Sequence, residues 1–209
     1  MTEDFPRARG TAADVDLLRR GWAHWAEIGA SLTEAERQQA TRLPGWPVGT
    51  LYAHVARSVD VLAAALDTAK SDVDTACPDA SAYFRSFHGA REQAARTVDQ
   101  VARQAAGSPP AVWAAKLAEH GPPLLDRAAA ATGAVDSPAG RIAVPDYLLT
   151  RLVEVTVHLL DLRAAVPGPG PEPEALHRVS DVLVGVAGPT AFVEAATGRT
   201  PFPVFPLLA

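Results

Sequence analysis

Glu154 and His158 stand four residues apart in Arg151-Leu-Val-Glu-Val-Thr-Val-His-Leu-Leu-Asp161-Leu, a stretch with helical periodicity that begins just after Pro145. Four residues make roughly one helical turn, so the two side chains project from one face, one above the other. Their surroundings are apolar, where a bare carboxylate costs several kcal/mol. A carboxylate and an imidazole side by side in such a setting need a partner, and a divalent cation satisfies both. His54, alone on a second apolar segment, is the natural third donor. A catalytic zinc site commonly takes three protein donors from His and carboxylate and leaves a position for water or substrate. Zinc is therefore the first expectation, although the same trio also admits iron, nickel or cobalt.

Such an open site can do two kinds of chemistry. It can turn water into hydroxide near neutral pH, which gives a hydrolase. It can also take a thiol as its thiolate, since coordination deprotonates sulfur. A third use is non-catalytic, a bundle that binds metal or a small ligand for regulation. Ordinary readings compete with all three. A lone His on an apolar face is usually a satisfied core residue, and a Glu and a His one turn apart are common in helices.

The elements that must position these groups read as helix nearly throughout. Val15, Leu18, Trp22 and Trp25 form an amphipathic stripe over residues 11–30. Thr33 and Glu36 have capping-box spacing. Leu43-Pro-Gly-Trp46 is a turn, with Gly45 needed for the backbone reversal, and Pro47 suits the first turn of the next helix. That helix is predicted to run to about Asp67, burying Leu51, Val55, Val59, Leu62 and Leu66. Further helices are expected over 80–105, 111–132 with a kink or break at Gly121-Pro-Pro123, 145–165 and 173–197, with no strand. Pro167 to Pro171 is a stiff connector, and Thr200 to Ala209 reads as an extended proline-rich strap. The expectation is an all-α bundle over residues 1–165, with a C-terminal helix and tail over 166–209 packed on it.

Composition narrows the function classes. Of 209 residues, 48% are apolar and 21% charged, with a net charge of −5, the profile of a globular domain. Clustered Lys and Arg are missing, which argues against nucleic-acid binding. A single cysteine, Cys77, leaves no internal disulfide and no multi-cysteine zinc knuckle. No apolar run reaches membrane-span length and the N-terminus lacks a signal-peptide pattern, so a cytoplasmic protein is expected. His24, His88, His120, His177 and Cys77 carry no motif and read as structural or surface residues. Oligomeric state is not set by the sequence; a homodimer is one expectation. Abundant Ala, Arg and Pro with little Lys hint at a GC-rich genome.

Leu43-Pro-Gly-Trp46 leading to His54-Val-Ala56, and Glu154 through Val157-His158 to Asp161-Leu162 about a hundred residues later, resemble the two motifs of the mycothiol-dependent maleylpyruvate isomerase family. That family belongs to the DinB-like superfamily of metal-binding four-helix bundles, and the helix pattern fits it over roughly residues 11–165. The resemblance implies metal-ligand roles for His54, Glu154 and His158. Asp161 matches the motif's acidic residue and could orient an imidazole from outside the ligand set. Trp46 reads as a packing residue. The resemblance also implies a low-molecular-weight thiol, mycothiol in actinobacteria, as cosubstrate, with the enzyme acting as S-transferase or cis–trans isomerase on an electrophilic small molecule. Arg151, one turn before Glu154, and Arg199, in a segment similar to the family's C-terminal region, are the candidates for a substrate carboxylate or the thiol. Isomerases of the family carry a further small α/β domain after the bundle. Here residues 166–209 read as helix plus strap, so a broader thiol transferase is expected over maleylpyruvate isomerisation.

Overall fold

The computed structural model describes residues 9–71, 75–87 and 91–200. Along these, the helices are α1 (Ala12–Ser31), α2 (Glu34–Arg37), α3 (Val48–Ala56), α4 (Ser58–Asp67), α5 (Ala80–Ser86), α6 (Arg91–Ala105) and α7 (Pro110–Ala130). A two-strand ribbon, β1 (Ala134–Val135) and β2 (Ile142–Ala143), then leads into α8 (Val144–Arg163), α9 (Pro173–Ala187) and α10 (Pro189–Ala196). Helix α1, the α3–α4 rod, α7 and α8 pack on one another as an all-α four-helix bundle. Helix α6 lies against α3, while α5 and α9 cover α8.

Apolar periodicity drives this assembly. Leu18, Trp22 and Trp25 of α1 and Leu51, Leu62, Leu149 and Leu152 from the facing helices are almost fully buried. The hydrophobic free energy of removing such side chains from water, about 1.5–3 kcal/mol each, is what the bundle rests on. Polar atoms within the core are paired across helices. Trp25 Nε1 donates to the carbonyl of Val155 on α8 at 3.1 Å, and the Tyr52 hydroxyl on α3 donates to the carbonyl of Trp25 at 3.0 Å. Gly29 makes the second bond fit, because a Cβ there would collide with the Tyr52 hydroxyl.

Local signals account for most boundaries. Thr33 and Glu36 form the expected capping box, with Thr33 N donating to Glu36 Oε2 at 2.8 Å and Glu36 N to Thr33 Oγ1 at 3.2 Å. Gly45 takes φ +76° in the turn before α3, as the predicted reversal requires.

Four expectations are corrected. The 47–67 helix is interrupted at Arg57, although the backbone there stays helical (φ −63°, ψ −13°). The 80–105 helix is two, α5 and α6, because their apolar faces serve different neighbours, α8 and α9 for one and α3 for the other. Helix α7 runs unbroken through Gly121-Pro122-Pro123. A Cβ at 121 would lie 3.1 Å from Trp22 Cε3, so the glycine admits the indole of α1 there. The 173–197 helix bends by 104° at Gly188-Pro189, where Gly188 takes φ +86°.

The ribbon is a further departure from the strand-free expectation. Its pairing (Ala134 with Ala143, Val135 with Ile142) is too short for a periodic signal. The C-terminal segment is tied back by Arg178, whose Nε meets the buried Asp14 Oδ1 at 2.6 Å, and by Ser81 Oγ donating to the carbonyl of Val182. The expected strap beyond Thr200 and His88 lie outside the described residues. Among the described residues, no single helix is long and apolar enough to cross a membrane.

Candidate metal centre

Helix α3 presents His54 and helix α8 presents Glu154 and His158 to one point in the bundle. Donor atoms of the three all lie within 4.8 Å of one another. His54 Nε2 is 3.3 Å and His158 Nε2 is 3.5 Å from the same Glu154 oxygen, Oε2. The side chains are enclosed but not sealed, with 14%, 21% and 12% exposure for His54, Glu154 and His158.

These spacings test whether the trio fits a cation. A charge-assisted hydrogen bond between imidazole and carboxylate closes to about 2.7–2.9 Å, as it does between His158 Nδ1 and Asp161 Oδ2 at 2.8 Å. The two contacts to Glu154 are longer than that. They match instead the edge of about 3.4 Å between ligands of a tetrahedral ion bound at about 2.0–2.1 Å. The donor set, two imidazole nitrogens and one carboxylate oxygen, therefore suits a divalent cation in its chemistry, and the two edges to Glu154 suit one in their length.

Asp161 stands where the sequence placed it, one turn beyond His158, and bonds the far side of that imidazole. Its other oxygen, Oδ1, accepts from Arg42 Nε at 2.7 Å. With Nδ1–H committed to Asp161, His158 faces the cluster through Nε2, whose lone pair becomes available when the ring gives up its second proton. His54 lacks such support: its Nδ1 is enclosed and has no acceptor among the described residues.

Charge follows the same geometry. Burial opposes a charge on His158, but Asp161 and Glu154 outweigh it and push the pKa up to about 9. Burial would raise Glu154, yet the imidazoles of His158 and His54 beside it hold its carboxylate well below the ordinary range. Burial lowers His54, with only partial offset from Glu154.

Metal uptake should therefore compete with one proton, the one on His158. Apparent affinity is expected to rise about tenfold per pH unit from near neutrality up to about pH 9, with close to one proton released. Calorimetry in buffers of different ionisation enthalpy measures that release; zero release at pH 7 would contradict it. In the metal-free protein the raised histidine stabilises the fold fully below its ordinary value of 6.5, and that contribution is lost as pH climbs through about 9.

Two groups near the cluster were not tied to it by the sequence. Trp46, read as packing, lays its indole against both imidazoles, with ring centroids 5.1 Å from His54 and 6.4 Å from His158. Its Nε1 donates to Asp99 on α6 at 2.9 Å. Arg42 was missed outright, since no local pattern links a loop arginine to a carboxylate 119 positions away.

Arg151 is buried rather than solvent-facing. It donates to Thr150 Oγ1 (3.1 Å) and the Tyr83 hydroxyl (3.2 Å), and lies over the rings of Tyr83 and Tyr147. Arg199 follows α10, exposed, and its bonds are local, to Thr197 and Glu194; none of them reaches the cluster. Cys77 is buried, where desolvation pushes its thiol up. His24 faces the guanidinium of Arg163, and burial with that charge lowers it.

Residues 18–163, more than half of the chain, match the family described as the mycothiol maleylpyruvate isomerase N-terminal domain. No curated protein and no solved structure matches the chain significantly.

Proposed function

The chain belongs to the mycothiol maleylpyruvate isomerase N-terminal domain family, and from that premise we propose that it is a DinB-like metal-dependent enzyme with a low-molecular-weight thiol, mycothiol, as cosubstrate. The carrying observation is the His54–Glu154–His158 trio at ligand spacing in a chain of that family. Zinc is the proposed ion, and a cytoplasmic location accords with a reduced thiol partner. A divalent cation held there would lower the pKa of a thiol and keep it as thiolate at neutral pH.

The residues of the chain do the rest. His54 and His158 supply neutral nitrogen donors, and Glu154 offsets one positive charge. Asp161 keeps the His158 proton on Nδ1, away from the incoming sulfur. The thiolate adds to the electrophilic carbon of an activated double bond: a C–S bond forms, the C=C becomes single, and the electron pair moves to the conjugated carbonyl. The resulting enolate takes up one proton from solvent, replacing the one that the thiol released to solvent on forming its thiolate, and gives the S-adduct. Rotation followed by expulsion of the thiolate restores the double bond and gives the isomer. Arg151 gives one N–H to Thr150 and one to Tyr83, which leaves the two N–H groups of Nη1 and the second of Nη2 for a substrate carboxylate.

Cobalt substitution tests this reading. Mycothiol added to the cobalt-loaded protein is expected to produce intense sulfur-to-metal charge-transfer absorption in the near ultraviolet. An unchanged spectrum with saturating thiol would overturn the thiol assignment, and thiol-independent turnover of an ester or amide would put a hydrolase in its place.

A further inference from the structure

Arg42 lies in the turn between α2 and α3, with 54% of its side chain exposed. A surface arginine on a carboxylate is ordinarily worth little. Its acceptor here is different. Asp161 is 9% exposed, and its two oxygens are divided between Arg42 (2.7 Å) and His158 Nδ1 (2.8 Å). The turn that carries Arg42 is itself fixed. Thr41 Oγ1 donates to the Trp46 carbonyl at 2.7 Å, Leu43 N donates to Thr41 Oγ1 at 3.1 Å, and Trp46 N donates to the Leu43 carbonyl at 3.1 Å.

We propose that Arg42 is a positioning residue of the metal centre: by pinning Asp161 Oδ1 it aims Oδ2 at His158 Nδ1, and so fixes the ring and tautomer that present Nε2 to the ion. Without the guanidinium, Oδ1 loses its only protein donor among the described residues. The carboxylate can then rotate, and the imidazole loses the acceptor that distinguishes its two nitrogens. His54 cannot compensate, because its Nδ1 has no acceptor among the described residues. The same turn places Trp46 against both rings. Outer partners of this kind typically change metal affinity or activity about 10–100-fold.

The inference rests on the cluster holding a cation, and the test separates the two readings. Zinc affinity is measured by competition with a chelator, and the His158 tautomer by nitrogen NMR of the zinc-loaded protein. Arg42→Gln is expected to weaken binding about tenfold or more and to blur the Nδ1–H signal of His158. Arg42→Lys, which keeps charge without the planar fork, should fall between it and the wild type. Asp161→Asn should weaken binding at least as much, and Arg42→Gln combined with Asp161→Asn should be no weaker than Asp161→Asn alone. Should Arg42→Gln lose helix content, Arg42→Lys carries the comparison. Wild-type affinity and tautomer in Arg42→Gln, or losses that add in the double variant, would overturn the positioning role while leaving the metal centre standing. A wild-type chain that takes up no zinc would overturn both.

Discussion

A chain carrying Glu154→Ala is expected to keep its helix content and to lose the stoichiometric metal proposed for the wild type. Glu154 is the shared neighbour of both imidazoles, one oxygen lying 3.3 Å from His54 and 3.5 Å from His158. It is also the trio's only anion. Its removal leaves two neutral donors and forfeits the charge that offsets the ion. The loss of affinity is expected to exceed the roughly 10–100-fold that follows removal of an outer partner. His54→Ala and His158→Ala should match it in direction. Helicity survives because position 154 is partly exposed and the core contacts of α8 come from Leu149, Leu152, Val153 and Leu159. Metal analysis and circular dichroism of the same preparation decide the matter: full metal content in Glu154→Ala would remove the carboxylate from the ligand set.

Trp25→Ala is expected to produce the largest loss of stability in the chain, about 3–5 kcal/mol. The indole is fully buried, touches the Tyr52 ring at a centroid distance of 5.7 Å and donates to the Val155 carbonyl on α8. Truncation would open a cavity where α1, α3 and α8 meet. At about 2–4 °C per kcal/mol for a domain of this size, the melting temperature should drop by roughly 6–20 °C. Trp25→Phe separates the contributions, since it keeps most of the apolar volume and deletes the hydrogen bond, worth about 1 kcal/mol. A drop in melting temperature of Trp25→Ala no larger than that of Trp25→Phe would show that packing at this junction contributes little. Val155 follows Glu154 directly, so metal affinity should fall alongside stability.

What could be read from the residues was whatever repeats or sits in a motif. The stripe of Val15, Leu18, Trp22 and Trp25 is buried as its spacing demands, because helical periodicity and burial are one signal. Asp161 was readable because a helix fixes which residues adjoin His158. The breaks at Arg57 and Gly188 were not. An apolar rhythm continues through Arg57, and Gly188-Pro189 falls inside a strongly amphipathic run. The separation of α5 from α6 depends on which neighbours their faces meet, which periodicity does not encode. The burial of Arg151 was not legible either, because arginines on helices are usually solvated. Its burial depends on Tyr83 and Tyr147, and the former arrives from 68 residues away. Arg42 and Asp99 act across similarly long separations, where only the folded chain brings partners together.

The short ribbon before α8 acts as a ruler. Ala143 is hydrogen-bonded to its partner strand, Val144 N donates to the Gly133 carbonyl, and the helix begins at once. No slack separates the two, so the phase of α8 about its own axis is inherited from the ribbon. One residue inserted or deleted between Ala143 and Tyr147 would rotate everything downstream by about 100°, swinging Glu154 and His158 off their shared heading. The loop from Asp136 to Arg141, at the opposite tip, is closed off by the Ala134–Ala143 and Val135–Ile142 pairing, so a change of length there leaves the phase of α8 as it is. Length variants among related chains should accordingly accumulate at the tip and avoid the junction.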